Sequence, residues 1–243
     1  WLTSQDNGCY GFDIGSDLAE LLEKVLSIEE DFMVRVGMMN PSYLSRFLDR
    51  LLDMYSDDRI FKFAHIPVQS GSDKVLRDMR RGYTSSEAEE VMKRFRAKYP
   101  KLTLMTDIIV GYPTESEEDF EKTLAFIARV EPDHVNVSKF GARPGTEAYR
   151  LKPLPVKLVK ERVKRLNALC SEVSYRRNLG WVGWVGEVLV EEPGLKPGSW
   201  IARNTSYKPI VLQTHENLLG KRLNVKVTKA YRNFLLATML TSG

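Results

Sequence analysis

The chain has 243 residues, 43% of them apolar, and carries 36 Lys and Arg against 32 Asp and Glu for a net charge of +4. That composition excludes a disordered or fibrous chain; with no apolar run of bilayer length and no basic, apolar leader at Trp1, a cytoplasmic protein without a membrane partner is expected. Cys9 and Cys170 are too few for a disulfide framework, a Cys-rich zinc site or a thiolate-ligated iron–sulfur cluster, so no metal site is expected within the chain.

Apolar, β-rich segments recur at residues 1–3, 32–37, 61–68, 102–111 and 134–140, spaced by about thirty residues as in βα units. Between them lie helical patterns. Leu18, Leu21, Leu22, Val25 and Leu26 share one face behind a cap at Ser16 or Asp17, and Leu44, Phe47, Leu48, Leu51 and Leu52 share another after Asn40-Pro41-Ser42. Thr84-x-x-Glu87 and Thr114-x-x-Glu117 fit capping boxes that open helices burying Val91 and Phe95, and Phe120, Leu124 and Ile127. Strands alternating with helices predict a parallel α/β sheet or partial barrel, whose ligands bind beyond the C-terminal ends of the strands. Polar residues gather at each of those ends: Gln5, Asp6 and Asn7; Arg35 and Asn40; His65, Gln69 and Ser72; Asp107 and Gly111; Lys139 and Arg143.

A long helix follows from residue 155 to about 178, with Val159, Val163, Leu166, Cys170 and Val173 inward and Gly180 at its end. Short β-rich runs at 184–190, 199–202, 209–212, 222–229 and 233–240, separated by Gly, Pro and Asn, predict a small antiparallel barrel. From Asn178 onward eight Lys and Arg face four Asp and Glu, while the residues before it balance, so the net charge belongs to this segment. Arg203, Lys208, Lys221, Arg222, Lys226, Lys229 and Arg232 interleave there with Tyr207, Tyr231 and Phe234, which sets phosphate contacts beside stacking rings and points to RNA. Core packing accounts for Trp181, Trp184 and Phe234 equally well.

The densest chemistry lies in residues 65–84. Pro67 ends ladder pairing, and Gln69-Ser70-Gly71-Ser72 offers an amide, hydroxyls and close backbone approach before Val75, Leu76 and Met79 resume a helical period. Gln69 is the candidate for contacting a ribose or base, because its amide both donates and accepts; a lone His such as His65 is more often structural. Arg35, between Val34 and Val36, requires an anion, either a ligand carboxylate or a structural partner at Asp6 or Asp107. Arg77, Arg80 and Arg81 form either phosphate contacts or a solvated helix face, and Arg143-Pro144-Gly145 either closes over a substrate or is a simple turn. Glu115, Glu117 and Glu118 read as first-turn helix charges.

Taken together, His65-Ile-Pro-Val-Gln-Ser-Gly-Ser72 with Val75-Leu76 and Met79-Arg80-Arg81, then Thr106-Asp-Ile-Ile-Val-Gly-Tyr-Pro113 with Glu118-Asp119-Phe120, then Arg143-Pro-Gly-Thr146 resemble, in order and spacing, the methylthiotransferases of the radical S-adenosylmethionine (SAM) superfamily. Within that family, Trp1-Leu-Thr-Ser-Gln-Asp-Asn-Gly8, Tyr10-Gly11, Asp13-Ile-Gly15 and Arg35-Val-Gly-Met-Met-Asn-Pro41 are most similar to the archaeal and eukaryotic branch that modifies N6-threonylcarbamoyladenosine in tRNA. The fold implied is α/β: the C-terminal portion of a radical SAM partial (β/α) barrel at 1–178, truncated at its N-terminus, followed by a small all-β TRAM barrel at 179–243. By resemblance, Gln5, Asp6 and Asn7 meet the methionyl ammonium of S-adenosylmethionine, against the alternative of a capped Asp-Asn-Gly turn, and Asp107 and Gly111 belong to the strand that holds adenine. Arg35, Gln69 and Ser70 complete the implied cofactor set. The implied tRNA contacts are Arg80, Arg81, Arg143, Arg203, Lys208, Lys221, Arg222 and Lys229, while Cys9 is expected to be a buried or turn thiol.

Members of the family carry a Cys-x3-Cys-x2-Cys loop and an N-terminal domain that hold two [4Fe–4S] clusters, and both would lie upstream of Trp1. The expectation is therefore a fragment, inactive alone and without a cluster, whose truncated strand edge is open to self-association. The parent reaction implied is replacement of the adenine C2–H by a methylthio group. Three other readings stand beside it: a methylthiotransferase for a ribosomal-protein aspartate, a stand-alone RNA-binding module, and an ordinary barrel enzyme with a complete site.

Overall fold

The computed structural model describes residues 1–240; residues 241–243, the end of the expected second domain, lie outside them. Strands β1 (Phe63–His65), β2 (Thr103–Val110) and β3 (His134–Lys139) are parallel and adjacent in chain order. The strands expected at 1–3 and 32–37 are reduced to single parallel bridges, Leu2 with Val36 and Val34 with Ile60. A local reason is visible at Met38, whose carbonyl accepts both the backbone N–H (2.9 Å) and the side-chain amide (3.1 Å) of Asn7 and so anchors a turn instead of a ladder.

Helices α1 (Leu18–Leu26), α2 (Pro41–Leu44), α3 (Leu48–Met54), α4 (Asp73–Asp78), α5 (Ser85–Lys98) and α6 (Glu117–Val130) supply the outer layer. Asp17 caps α1 by accepting from Glu20 N–H, and the Thr84–Glu87 capping box opens α5. The helix expected over 44–52 is broken in two, because Phe47 leaves helical geometry (φ −141°, ψ 17°) while its ring stays in the core. At α6 the box is Ser116 with Asp119 instead of Thr114 with Glu117. Glu115 is drawn inward there, accepting from Gly111 N–H at 3.0 Å and from buried Arg162 at 2.8 Å.

After α7 (Glu147–Arg150), α8 (Val156–Leu179) packs Leu166, Cys170 and Val173 inward and ends at Gly180. Strands β4 (Val185–Pro193), β5 (Ser199–Arg203), β6 (Pro209–Gln213), β7 (Arg222–Ala230) and β8 (Leu235–Met239) close a barrel in the order β4-β5-β6-β8-β7. Its one parallel pair, β6 with β8, departs from the all-antiparallel expectation. Alternating residues such as Val188 and Val190, Ile210 and Leu212, and Val225 and Val227 fill the interior. Among the described residues no helix is long and apolar enough to cross a membrane.

The β5–β6 turn joins the two parts. Asn204 Oδ1 accepts from the N–H groups of Ser206 (3.1 Å) and Lys208 (3.0 Å), and Tyr207 sits between them at φ +59°. Lys62 N–H donates to Thr205 O at 2.7 Å, and the Tyr207 ring lies 4.9 Å from Phe61 and 5.3 Å from Phe63. The barrel thereby seals the N-terminal ends of the parallel strands, opposite the end where such sheets bind ligands.

Candidate functional site

The parallel register sets a polar row across three strands. His65 Nε2 lies 2.9 Å from Asp107 Oδ2, Asn136 Nδ2 donates to Asp107 Oδ1 at 2.8 Å, and His134 Nε2 lies 3.2 Å from Asn136 Oδ1. Burial works against a charged Asp107, yet the His65 contact, with help from Asn136 and His134, holds its carboxyl below the ordinary carboxylate range. The row borders a cleft of about 610 Å³ lined by Gln69, Asp107, Ile109, His134, Asn136 and Ser138. Gln69 takes φ +74°, its N–H donating to Asp107 O at 2.8 Å and its carbonyl accepting from Ile109 N–H at 2.9 Å. A left-handed conformation at a non-glycine costs on the order of 1 kcal/mol, and these two bonds hold it while its amide borders the cleft.

Arg35 points away from the helices, its guanidinium over Phe63 (4.5 Å), Tyr207 (5.1 Å) and Trp1 (5.5 Å). Neither Asp6 nor Asp107 pairs with it, and its Nε is buried without a hydrogen-bond partner among the described residues. Ring faces hold the cation, and Phe63 and Tyr207 belong to the joint with the barrel, so Arg35 lies toward the sealed end of the strands and not at the rim with Asp6. At the rim, Asp6 Oδ1 accepts from Gly8 N–H (2.8 Å) and Asn40 N–H (3.1 Å), which is the capped turn. Oδ2 of Asp6 is not used in those bonds. Asn7 is buried with its amide on Met38, whereas Gln5 is exposed.

Two family models match this chain: the radical SAM superfamily over residues 8–127 and the TRAM domain over 182–240. The chain carries a radical SAM domain followed by a TRAM domain. It is 45% identical, over 99% of its own length and 56% of the relative's, to a probable threonylcarbamoyladenosine tRNA methylthiotransferase of Pyrococcus horikoshii. It is 40% identical to the threonylcarbamoyladenosine tRNA methylthiotransferase of Drosophila melanogaster over 99% of this chain and 43% of that one. The chain thus spans about half the length of the curated relatives it matches. Coproporphyrinogen III oxidase (HemN) of Escherichia coli, described as a radical SAM enzyme, shares the fold at a TM-score of 0.50 and 14% identity, covering 93% of this chain and 55% of that one.

Within the radical SAM fold several expected contacts are reassigned. Ser70 is fully buried and faces α6, its Oγ 3.3 Å from Thr123 Oγ1 and accepting from Ser72 N–H. Gly71 packs there too, since a Cβ would lie 2.6 Å from Lys122 O, so this part of the turn serves helix packing and not the cofactor. Gly111 is required by φ +86° and by Val159 of α8, 2.8 Å from where its Cβ would sit, and not by a ligand. Lys208, expected on an RNA surface, is buried, donating to Asp133 Oδ1 and Asn178 Oδ1 at 2.8 Å each. Arg203 is also engaged, with Glu191 at 3.3 Å and the Tyr207 ring at 4.5 Å.

The other basic residues stay at the surface. Arg80 pairs with Glu147 at 2.6 Å, Arg81 is half-buried with an unbonded Nε, and Arg143 is exposed. On the TRAM barrel Lys221 is exposed, Arg222 meets Asp31 (3.0 Å) and Glu187 (3.3 Å), and Lys229 lies 5.1 Å from Tyr231, itself stacked on Phe234. Sequence reasoning passed over Asn136, His134, Asp133 and the Glu115–Arg162 pair. The first two had a signal, the alternation of His134, Asn136 and Ser138 with Val135 and Val137.

S-adenosylmethionine, implied by the superfamily, finds polar partners in this chamber: the remaining Asp6 oxygen suits its ammonium and the Gln69 amide its ribose or base, whereas Arg35 is held at the opposite end by Phe63 and Tyr207. An iron–sulfur cluster does not fit the residues present. Cys9 is exposed at the rim turn, and Cys170 is buried in α8 with its thiol pushed up to about 12 by burial. Among the described residues no group of three or more His, Cys, Asp or Glu is placed to hold a metal ion.

Proposed function

We propose that this chain is the barrel and RNA-binding part of a methylthiotransferase acting on N6-threonylcarbamoyladenosine in tRNA, working in the cytoplasm. The observation that carries this reading is the similarity to relatives of that name along 99% of the chain, in a fold whose polar row faces an open cleft. Residues 1–178 form the reaction chamber and 179–243 the tRNA-binding barrel. In this reading Asp6 holds the methionyl ammonium, and Gln69 orients the nucleoside portion. Asp107, held charged by His65 and Asn136, accepts a hydrogen bond from the ligand or from the incoming base. One S-adenosylmethionine, cleaved by an electron from a cluster whose ligands come from outside these residues, would supply the radical that removes the adenine C2 hydrogen, and a second would supply the methyl group for the sulfur that a separate donor provides.

Lys221, Lys229 and the Tyr231–Phe234 stack are the tRNA-facing group on the TRAM barrel, and Arg80, Arg81 and Arg143 face the same substrate at the chamber mouth. The test is mass spectrometry of tRNA nucleosides after incubation with the full-length, cluster-reconstituted enzyme. Threonylcarbamoyladenosine is expected to gain a methylthio mass. No gain with an enzyme that cleaves S-adenosylmethionine would show that the substrate assignment is wrong.

A further inference from the structure

The unused oxygen of Asp6 accounts for the ammonium of a methionyl group and leaves its carboxylate without a partner. The two groups share one carbon, so whatever binds the carboxylate must stand close to Asp6. Arg35 is held at the sealed end of the strands. The cations nearer the rim are mostly occupied or solvated. Arg80 pairs with Glu147, Lys74 meets Asp78 at 3.3 Å and Thr114 O at 2.7 Å, and Arg46 lies over the Phe12 ring at 4.9 Å, while Arg77 and Arg143 are exposed. Arg81 is the exception. Its guanidinium enters no hydrogen bond, ion pair or ring contact among the described residues, yet the residue is half-buried and its Nε is out of reach of water. A buried guanidinium donor without an acceptor is rare in a folded protein and calls for an anion that the chain itself does not provide.

Arg81 stands between two walls of the chamber mouth. Arg80 follows α4 in a left-handed turn (φ +57°), and Arg81 N–H donates to Leu76 O at 2.9 Å, which turns the chain back along the rim. On one side Gly82 packs on Ser42, where a Cβ would lie 3.2 Å from Ser42 Oγ. Ser42 N–H donates to Asn40 Oδ1 at 3.0 Å and Asn40 N–H to Asp6 Oδ1 at 3.1 Å, so Gly82 is linked through these residues to the Asp6 carboxylate. On the other side the Tyr83 hydroxyl lies 3.1 Å from Pro67 O and 3.0 Å from Val68 O, just before Gln69. Burial pushes that hydroxyl up to about 12, and the charges that act on it are Arg81, Asp107 and Asp6, so all three lie within electrostatic reach of one group at the chamber mouth. We propose that Arg81 binds the methionyl carboxylate of S-adenosylmethionine while Asp6 binds the ammonium, an inference that rests on the role given to Asp6 above. A guanidinium takes a carboxylate through two parallel N–H donors, and the four charges then cancel within the site. Arg80 and Arg143 stay with the tRNA, and Arg81 serves the cofactor.

Titration calorimetry on the full-length, cluster-reconstituted enzyme tests this with S-adenosylmethionine, its decarboxylated form and methylthioadenosine, which lacks the amino-acid end. The wild type is expected to prefer S-adenosylmethionine to the decarboxylated form by at least about tenfold, and Arg81→Met to lose about tenfold for the first with little change for the second. Arg81→Lys keeps the charge without the fork and is expected to recover part of that loss. Methylthioadenosine is expected to bind all three proteins alike, and their cluster absorbance to match. An unchanged preference in Arg81→Met overturns the assignment, and weaker tRNA binding by that variant would then return Arg81 to the tRNA group. Equal losses for all three ligands overturn it as well, because the residue would then maintain the shape of the chamber. The proposed function fails by a different outcome: an enzyme whose carboxylate preference depends on Arg81 but which leaves threonylcarbamoylated tRNA unmodified keeps this role and sinks the substrate assignment.

Discussion

Asp133 and Asp107 flank the two ends of one parallel sheet, and each meets a cationic or protonatable partner at a short distance: Asp133 Oδ1 with Lys208 at 2.8 Å, Asp107 Oδ2 with His65 at 2.9 Å. Their surroundings differ. The Asp133 side chain is 2% exposed and that of Lys208 4%, with Arg96, Arg177 and Leu104 N–H also turned to the carboxylate. The Asp107 side chain is 20% exposed and opens onto the cleft. Burial raises the cost of a charged Asp133, but Lys208 and Arg177 together hold its carboxyl below the ordinary range. Lys208 is itself lowered, because burial outweighs the opposing pull of Asp133, with Arg177 and Arg96 adding smaller repulsions. One acid is shared among three cations, so the carboxylate gains more from the cluster than the ammonium does. The comparison assigns one end of the sheet to holding the TRAM barrel in place, its acid saturated by protein partners, and leaves the acid at the other end partly hydrated, where the proposed ligand would bind.

The largest effect that tests this contrast is expected from Asp133→Ala. It leaves Lys208, Arg96 and Arg177 without their shared acid and is expected to cost about 3–5 kcal/mol, read from urea unfolding followed by tryptophan fluorescence. A loss below about 1 kcal/mol would make the joint no different from a surface pair. The pH dependence has a definite sign. A depressed carboxyl stabilises fully above the unfolded value of about 3.9 and loses that contribution as pH falls through its lower folded value, so the gap between wild type and Asp133→Asn narrows below about pH 4. Asp107→Asn tests the other side. With its side chain partly in water the stability cost is expected to be about 1 kcal/mol or less, whereas affinity for S-adenosylmethionine falls about tenfold. The reverse pattern, a large stability loss with unchanged binding, would make the His65–Asp107–Asn136 row structural.

The fold was legible because its signals are local. Period-2 and period-3.6 patterns, the Thr84 box and the Gly180 stop each depend on neighbours within one turn or strand. Failures occurred where a distant residue decided the outcome. Ser70 and Gly71 look like cofactor-loop residues until α6 is packed on them, and Glu115 looks like a first-turn charge until Arg162, 47 positions later, is placed beside it. Lys208 was misread for the same reason: a lysine in a basic, β-rich segment gives no sign that Asp133, 75 positions earlier, waits in the interface. Of the residues bordering the cleft, Gln69 was singled out by its side-chain chemistry and Asp107 by its place at a strand end and by resemblance. The row that holds Asp107 needed the β2–β3 register, in which Asp107 and Asn136 are partners.

Arg222 gives the smallest expected effect and the sharpest control. Like Lys208, it ties the TRAM barrel to the radical SAM part through an aspartate, meeting Asp31 at 3.0 Å. Here the Asp31 side chain is 85% exposed and that of Arg222 41%, and Arg222 also reaches Glu187 of its own barrel at 3.3 Å. Water then solvates either partner when the other is removed, and side-chain entropy offsets most of the attraction. Arg222→Ala is expected to change stability by no more than about 0.5 kcal/mol at physiological salt and by nothing measurable near 1 M, where screening reaches about 3 Å. A loss as large as that of Asp133→Ala would mean that any charge bridging the two parts stabilises the joint. A loss near zero assigns the joint to the buried cluster, because the two pairs then differ chiefly in their exposure to water.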